Sequence, residues 1–344
     1  MNVGILGFAH GHVGVYCGRW RKEPDLGIRV VAGWDHDAGR LAKAAAEHGV
    51  EPRPTADALL ADPAVEAVVI GAETSMHADL VERAAAAGKP IVLQKPMALT
   101  TAEADRIVAA VDRAGVPFTM AWQMRVDPHN LEARDLMQSG RFGKLLIVRR
   151  RHTLATHLWK GFEALWHNDP RLNRDIFADD AAHAADFLYW LRGMPESVVC
   201  EMGTLVNPRV PNDNAVAVFR WADGAFGEMV CSFTAPGGEN ALEMTFEKGV
   251  IVGNHGDGPS TSAPWPPGAV QLKWWLHGDA AWTLSGRPAI RSQGERLAGL
   301  AAPLAEFLHG RRPPVATAAE GRDVLRMILA CYESNESGRR VRLA

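Results

Sequence analysis

A lysine that follows a short apolar run is the first residue of this chain to which chemistry can be assigned. The run is 91–93, and Gln94-Lys95-Pro96 comes directly after it. An apolar run of this kind is typical of a buried parallel strand, and open α/β sheets bind ligands at the carboxyl ends of their strands. Pro96 cannot donate to a sheet ladder, so the strand ends there. The sequence therefore predicts that Lys95 presents an ammonium group at the mouth of a ligand site.

A second candidate for chemistry is an aspartate and a histidine spaced i, i+4. Asp179 and His183 would share one face of a helix, with Asp186 close to that face one turn further on. Histidine is suited to acid–base work near neutral pH, and an aspartate one turn away can orient the imidazole or hold a substrate hydroxyl. Taken alone, the pair is better explained by a helix-capping acid and an unrelated surface histidine. Because the same chain also has Lys95 at the end of a strand, general acid–base catalysis becomes the preferred interpretation of Asp179 and His183.

The first turn of the chain has part of a dinucleotide fingerprint. Gly7 fits the first glycine of Gly-x-Gly-x-x-Gly, but Ala9 and His12 occupy the other two glycine positions. His10 and His12 have an i, i+2 spacing that could suggest a metal, yet no third ligand is placed by sequence. We predict no metal, and expect these histidines to fill the turn or contact a pyrophosphate.

Asp35 strengthens the dinucleotide interpretation. It ends the second predicted strand, where an acid binds the ribose hydroxyls of the adenosine and repels the 2′-phosphate of NADP. NAD is therefore the preferred cofactor, while His36 and Arg40 leave NADP open. The alternative is that Asp35 is a simple turn residue at the end of a strand.

The elements that must position these residues change in character near residue 123. Before it, strands and helices alternate, which predicts a Rossmann-type parallel sheet domain over 1–122. After it, strands dominate, which predicts an α+β domain over 123–344 with a large, mostly antiparallel open sheet. The predicted strands are 3–6, 28–33, 67–70, 91–93, 117–121, 145–151, 197–203, 215–221, 226–234, 242–246 and 250–252. The predicted helices are 41–48, 78–87, 101–115, 128–139, 179–191, 297–308 and 319–333, and 256–268 is predicted to be a loop.

Composition narrows the class of protein. The chain has 344 residues, a net charge of −3 and a hydrophobic fraction of 47%. This balance is ordinary for a soluble globular protein and argues against nucleic-acid and membrane partners. Four widely spaced cysteines, and a strand that starts at the N-terminus in place of a signal peptide, predict a cytoplasmic protein.

Several short motifs together resemble the Gfo/Idh/MocA family, named for glucose–fructose oxidoreductase, inositol dehydrogenase and a rhizopine-catabolism protein. The family's Glu-Lys-Pro and Asp-x-x-x-His are similar to Gln94-Lys95-Pro96 and to Asp179–His183. Further matching stretches are Thr74-Ser75-Met76-His77, Arg125-Val126-Asp127-Pro128, Trp190-Leu191-Arg192-Gly193 and 338–343. Gln94 in place of Glu, Ala9 and His12 in the first turn, and Asn173-Arg174-Asp175 in place of a glycine-rich run depart from the pattern.

The resemblance implies NAD(P)-dependent hydride transfer on a sugar, cyclitol or sugar derivative. It implies that Lys95 hydrogen-bonds the reacting oxygen, that His183 takes the hydroxyl proton, and that Asp179 binds a neighbouring hydroxyl or orients these groups. It also implies a cis Lys95–Pro96 peptide bond and a homodimer or homotetramer formed through the second-domain sheet. Two other functions stay open from sequence: an NAD-assisted glycoside hydrolase or lyase that oxidises its sugar transiently, and a non-catalytic nucleotide-binding sensor.

The predicted site residues follow from these motifs. The predicted cofactor-binding residues are Gly7, Phe8, Ala9, His10, His12, Asp35, His36, Ala72, Thr74, His77, Gln94, Lys95 and Gln123. The predicted substrate-binding residues are Lys95, Trp122, Arg125, His157, Trp166, Arg174, Asp179 and His183. Aromatic faces stack on sugars, but ordinary packing explains each tryptophan equally well.

Overall fold

The chain forms two compact units in a computed structural model that describes residues 1–237, 240–253 and 268–343. The first unit comprises Met1–Gln123, Pro170–Asn173 and Leu297–Leu325. The second comprises Met124–Asp169, Arg174–Arg296 and Arg326–Ala344. The loop predicted at 256–268 lies, except for Gly268, outside the described residues.

The first unit is built on a six-stranded parallel sheet with the strand order β3-β2-β1-β4-β5-β6. This is the order of a Rossmann fold, so the predicted fold class of the first domain is confirmed. β4 and β5 are buried at every residue, as their unbroken apolar runs predict. β3 was not predicted because it is two exposed residues long and contains a proline. The strands are β1 Asn2–Leu6, β2 Arg29–Trp34, β3 Glu51–Pro52, β4 Ala67–Ile70, β5 Ile91–Leu93 and β6 Phe118–Met120.

Ten α-helices are found in the described residues, and several have strong end signals. α5 starts at a complete capping box between Thr100 and Glu103 and ends before Gly115, which has a φ of 63°. The helices are α1 His12–Lys22, α2 Ala38–His48, α3 Ala56–Leu60, α4 His77–Ala86, α5 Thr101–Ala114, α6 Pro128–Gln138, α7 Ala182–Arg192, α8 Gln293–Ala298, α9 Ala301–Leu308 and α10 Ala318–Ser337.

The C-terminal part of the chain returns to the first unit, which the sequence boundary at 122/123 does not anticipate. The indole nitrogen of Trp20 on α1 donates to the carbonyl of Ala301, at 2.8 Å. The amide of Met120 on β6 donates to the carbonyl of Ala316, at 2.9 Å. These contacts join residues far apart in the chain, so local sequence patterns contain no signal for them. They place Leu297–Leu325 with the Rossmann sheet instead of with the second domain.

The second unit is built on a nine-stranded sheet in the order β14-β13-β12-β11-β7-β10-β9-β8-β15. Among these described strands only β7 and β10 pair in parallel, so the predicted mostly antiparallel sheet is confirmed. α7 packs on β7 and β10, and a π-helical turn, Phe177–Ala181, leads directly into it. The short strands β13, β14 and β15 were missed. The strands are β7 Leu145–Thr153, β8 Ser197–Gly203, β9 Asn214–Arg220, β10 Phe226–Ser232, β11 Ala241–Phe246, β12 Gly249–Gly253, β13 Lys273–Leu276, β14 Thr283–Leu284 and β15 Val341–Arg342.

Candidate active site

The turn after β1 is shaped for close backbone approach. Gly7 has a φ of 88°, and a Cβ built on it would lie 2.4 Å from the Cα of Ala72, so no other residue fits. α1 starts just beyond, and its N-cap residue, Gly11, has no side chain. The N-terminus of a helix favours an anionic group, because its backbone amides and its dipole are directed toward it. The turn therefore fits the pyrophosphate of a dinucleotide, despite Ala9 and His12 in the fingerprint.

Asp35, which follows β2, is hydrogen-bonded to the turn that follows β1. Its carboxylate accepts from the backbone amide of Phe8 at 2.8 Å and from the guanidinium of Arg40 at 2.8 and 3.1 Å. Glu73, which is 1% exposed, pairs with the same guanidinium at 2.8 Å and lies 3.0 Å from His36. Sequence reasoning missed Glu73. The group of Asp35, His36, Arg40 and Glu73 has two carboxylates for one guanidinium, so a 2′-phosphate there would meet a net negative charge.

We expect Glu73→Gln to raise the use of NADP relative to NAD. The change removes one carboxylate and leaves Asp35 alone to balance Arg40, so a 2′-phosphate there no longer meets a net negative charge. An increase of about tenfold in the NADP/NAD ratio of kcat/KM corresponds to about 1.4 kcal/mol. Initial rates with both cofactors measure the ratio, and Glu47→Gln, at a surface pair 3.8 Å from Lys43, is the matched control. An unchanged ratio would rule out this role for Glu73.

The side chains of the first turn pack on one another. A Cβ on Gly33 would meet the ring of Phe8 at 2.9 Å, so that ring lies against β2. The rings of His10 and His12 meet edge to face with centroids 4.3 Å apart. In the part of the chain that the structure describes, no group of three or more histidine, cysteine, aspartate or glutamate residues could hold a metal ion.

Gln94, one of the residues that depart from the family pattern, has a buried partner on α1. Its side chain is fully buried, and its amide nitrogen donates to the hydroxyl of Tyr16 on α1 at 2.5 Å. Burial raises the pKa of Tyr16 far above its usual range, so the phenol stays neutral. A neutral amide makes this buried contact without a charge next to Lys95, which explains how glutamine is accommodated here.

His77 holds the loop that contains Lys95. Its two ring nitrogens lie 2.9 Å from the carbonyl of Pro96 and 3.1 Å from the carbonyl of Ala72. Burial lowers the pKa of His77, which favours the neutral ring. The protonated nitrogen of the neutral ring donates to one of these backbone carbonyls, and this predicted cofactor residue thereby positions the loop. The Lys95–Pro96 peptide bond is cis, as the resemblance implies, and Lys95 is 2% exposed.

The remaining predicted residues of the first unit are buried. Thr74 donates its hydroxyl to the side chain of Asn173 at 2.5 Å. Gln123 is fully buried, and Trp122 is 1% exposed. Trp122 is enclosed to the same degree as Lys95, and its contact with a substrate stays a prediction.

The second unit gathers acids and histidines at the π-helical turn. Asp179 lies 3.1 Å from Nδ1 of His167, whereas Asp180 lies 2.8 Å from Nε2 of His152 and 3.6 Å from Nε2 of His183. A π-helical turn bonds i to i+5, so it alters the face on which each acid lies relative to an α-helix. Sequence reasoning predicted Asp179 and His183 but missed the other three residues. In β7 the side chains of Val148, Arg150 and His152 are buried on one face, but the run Arg149-Arg150-Arg151 hides this alternation in the sequence.

Other predicted substrate residues of this unit have partners or partial exposure. Arg125 forms a buried ion pair with Asp186 of α7, with the closest N–O distance at 2.7 Å. Arg174, which has a positive φ of 70°, places its guanidinium 4.8 Å from the ring centre of Tyr332. Trp166 stacks on His167 with centroids 4.0 Å apart, and His157 is half-buried. The structure thus groups Asp179 and His183 within the second unit, while Lys95 belongs to the first.

Comparison with known proteins identifies the class. Residues 1–122 match the family described as "Oxidoreductase family, NAD-binding Rossmann fold", and residues 130–252 match "GFO/IDH/MocA C-terminal domain". The chain belongs to the Gfo/Idh/MocA family of NAD-binding oxidoreductases.

Individual relatives differ in how much of the chain they match. Inositol 2-dehydrogenase 2 of Saccharopolyspora erythraea is 34% identical over 56% of this chain, and the match spans only 54% of that protein. The scyllo-inositol 2-dehydrogenase (NAD(+)) of Bacillus subtilis is 27% identical over 69% of this chain and 68% of its own length. The crystal structure of the WlbA dehydrogenase from Bordetella pertussis, in complex with NADH and UDP-GlcNAcA, has a TM-score of 0.81 at 24% identity over 100% of this chain and 98% of that one. This last likeness shows the fold.

Proposed function

We propose that this protein is an NAD-dependent dehydrogenase or reductase that acts on a secondary hydroxyl, or the corresponding ketone, of a sugar, cyclitol or sugar derivative. The observation that carries the proposal is the buried group of acids and histidines around His183 in a chain of an NAD-binding oxidoreductase family. Relatives named inositol dehydrogenases support this class of substrate. NADP stays the second choice of cofactor.

The proposed roles follow from acid–base chemistry. Bound NAD supplies the acceptor for the hydride that leaves the carbinol carbon. A sugar hydroxyl is too weak an acid to ionise unaided, so a base and a cation must act on it together. The His183 imidazole accepts the hydroxyl proton as the C–H bond breaks, and the Lys95 ammonium hydrogen-bonds the oxygen that becomes a carbonyl. The Asp179 carboxylate accepts a hydrogen bond from a neighbouring hydroxyl.

A cofactor-reduction screen tests the proposal. Purified protein is incubated with inositols, sugars and sugar acids, with NAD and NADP in parallel, and absorbance of the reduced cofactor is recorded. We expect turnover with at least one polyol, and we expect Lys95→Ala to lower kcat/KM by about 10²-fold or more, the loss typical of one electrostatic group. Lys43→Ala, at an exposed surface lysine, is the control. Turnover that survives Lys95→Ala would overturn the assigned role.

The location and the oligomeric state of the protein are also predicted from its sequence. No helix in residues 1–237, 240–253 or 268–343 is long and apolar enough to cross a membrane. We propose a cytoplasmic location, and a homodimer or homotetramer formed through the nine-stranded sheet, which analytical ultracentrifugation can test. Nothing in the described residues favours the glycoside hydrolase, lyase or sensor alternatives.

A further inference from the structure

A carboxylate lies between two imidazoles in the second unit. Asp180 Oδ2 is 2.8 Å from Nε2 of His152, and Asp180 Oδ1 is 3.6 Å from Nε2 of His183. The two rings have centroids 5.7 Å apart. The side chains of His152 and His183 are 3% and 2% exposed, and that of Asp180 is 13% exposed. Each carboxylate oxygen of Asp180 thus faces a different histidine.

The three residues come from elements that pack on one another. His152 is on the inner face of β7, Asp180 is in the π-helical turn, and His183 is in the first turn of α7, which packs on β7. A short contact at 2.8 Å to a buried strand residue fixes the direction of the Asp180 carboxylate. His152 therefore determines where that charge lies relative to His183.

We propose that Asp180 and His152 are positioning residues for the base His183, a role that rests on the proposed function. When His183 accepts the hydroxyl proton it becomes a buried cation, and desolvation opposes this. The carboxylate 3.6 Å from its ring nitrogen offsets that cost, so proton uptake during hydride transfer becomes easier. His152 acts one step further away, by holding Asp180.

Other polar groups face this cluster. Asp179 and His167 pair beside it, Arg150 lies two residues before His152 on the same face of β7, and Cys231 is on the neighbouring strand β10. Burial and the nearby Asp180 raise the pKa of the Cys231 thiol well above its usual value, so it stays neutral. Asp179 remains in place when Asp180 is changed, so the effect of Asp180 can be measured separately.

The test is the pH dependence of the oxidation catalysed by Asp180→Asn. We expect kcat to fall about 10- to 100-fold with KM changed less than threefold, because the carboxylate acts on the base and not on the substrate. A lost carboxylate disfavours the protonated imidazole, so the acid limb of the kcat/KM profile should move to lower pH. Asp180→Glu should recover part of the rate, and His152→Gln should show the same changes to a smaller extent. Asp223→Asn, in an exposed turn, should leave the profile unchanged.

The outcomes separate this inference from the proposed function. If His183→Ala is inactive while both Asp180→Asn and His152→Gln keep the wild-type rate and pH profile, the positioning role is wrong and the dehydrogenase survives. If His183→Ala keeps full activity, His183 is not the base and the positioning role falls with it. If the wild-type protein reduces neither NAD nor NADP with any polyol or sugar, the proposed function itself fails. Thermal melts identify a variant that does not fold. If Asp180→Asn does not fold, the pH profile of His152→Gln, which retains Asp180, tests the positioning role instead.

Discussion

His183→Ala is expected to lower kcat/KM of the dehydrogenase by about 10²- to 10⁴-fold, the range for loss of a general base. The imidazole is the predicted acceptor of the substrate proton, and Asp180, 3.6 Å away, stabilises the cation that results. Because the histidine acts on the reacting hydroxyl, binding of NAD should change little. Steady-state rates and a titration of NADH fluorescence measure the two effects separately.

The control for this prediction is His277→Ala, which removes another histidine of the same unit. The ring of His277 lies edge to face with that of Trp275, with centroids 6.1 Å apart, and His277 has no proposed role in the reaction. We expect wild-type kinetics from it. A His183→Ala enzyme with more than a tenth of the wild-type kcat/KM, or one that loses NADH binding equally, would contradict the assignment of His183 as the base.

Gly7→Ala is expected to abolish detectable NAD binding and to lower the free energy of unfolding. The added Cβ would lie 2.4 Å from the Cα of Ala72, and a φ of 88° is unfavourable for alanine by about 1–2 kcal/mol. To relieve the clash, the turn must move away from Ala72, which follows β4. This movement also shifts the start of α1, where the pyrophosphate is expected to bind. NADH fluorescence titration and thermal unfolding measure both losses.

Gly11→Ala provides the matched control four residues later. Its φ is −57°, and a Cβ built there meets nothing within 4 Å. The same chemical change should therefore leave folding intact and reduce NADH affinity far less. Equal losses of affinity in the two variants would show that the close packing of Gly7 is not what the dinucleotide turn requires.

The sequence predicted the Rossmann sheet because its signals are local. Short unbroken apolar runs define β4 and β5, a capping box defines the start of α5, and the predicted strands 67–70 and 91–93 agree with the observed ones at both ends. Strands as short as Glu51–Pro52 and Thr283–Leu284 bury too little to leave a pattern, so they were missed. The family could also be recognised from short motifs, since each motif is contiguous in the chain.

By itself the sequence determined the fold class and the family, and it predicted Lys95, Asp179 and His183 as site residues, since these depend on contiguous residues and on i, i+4 spacing. Only the tertiary structure decided which side chains accompany them. Asp180 meets His152 across 28 residues and Arg125 meets Asp186 across 61, while Glu73 shares Arg40 with Asp35. A π-helical turn also changed the geometry that helical spacing predicts for the two adjacent acids. Burial makes such pairings obligatory, because a buried charge requires a partner, but where the partner lies depends on how strands and helices pack.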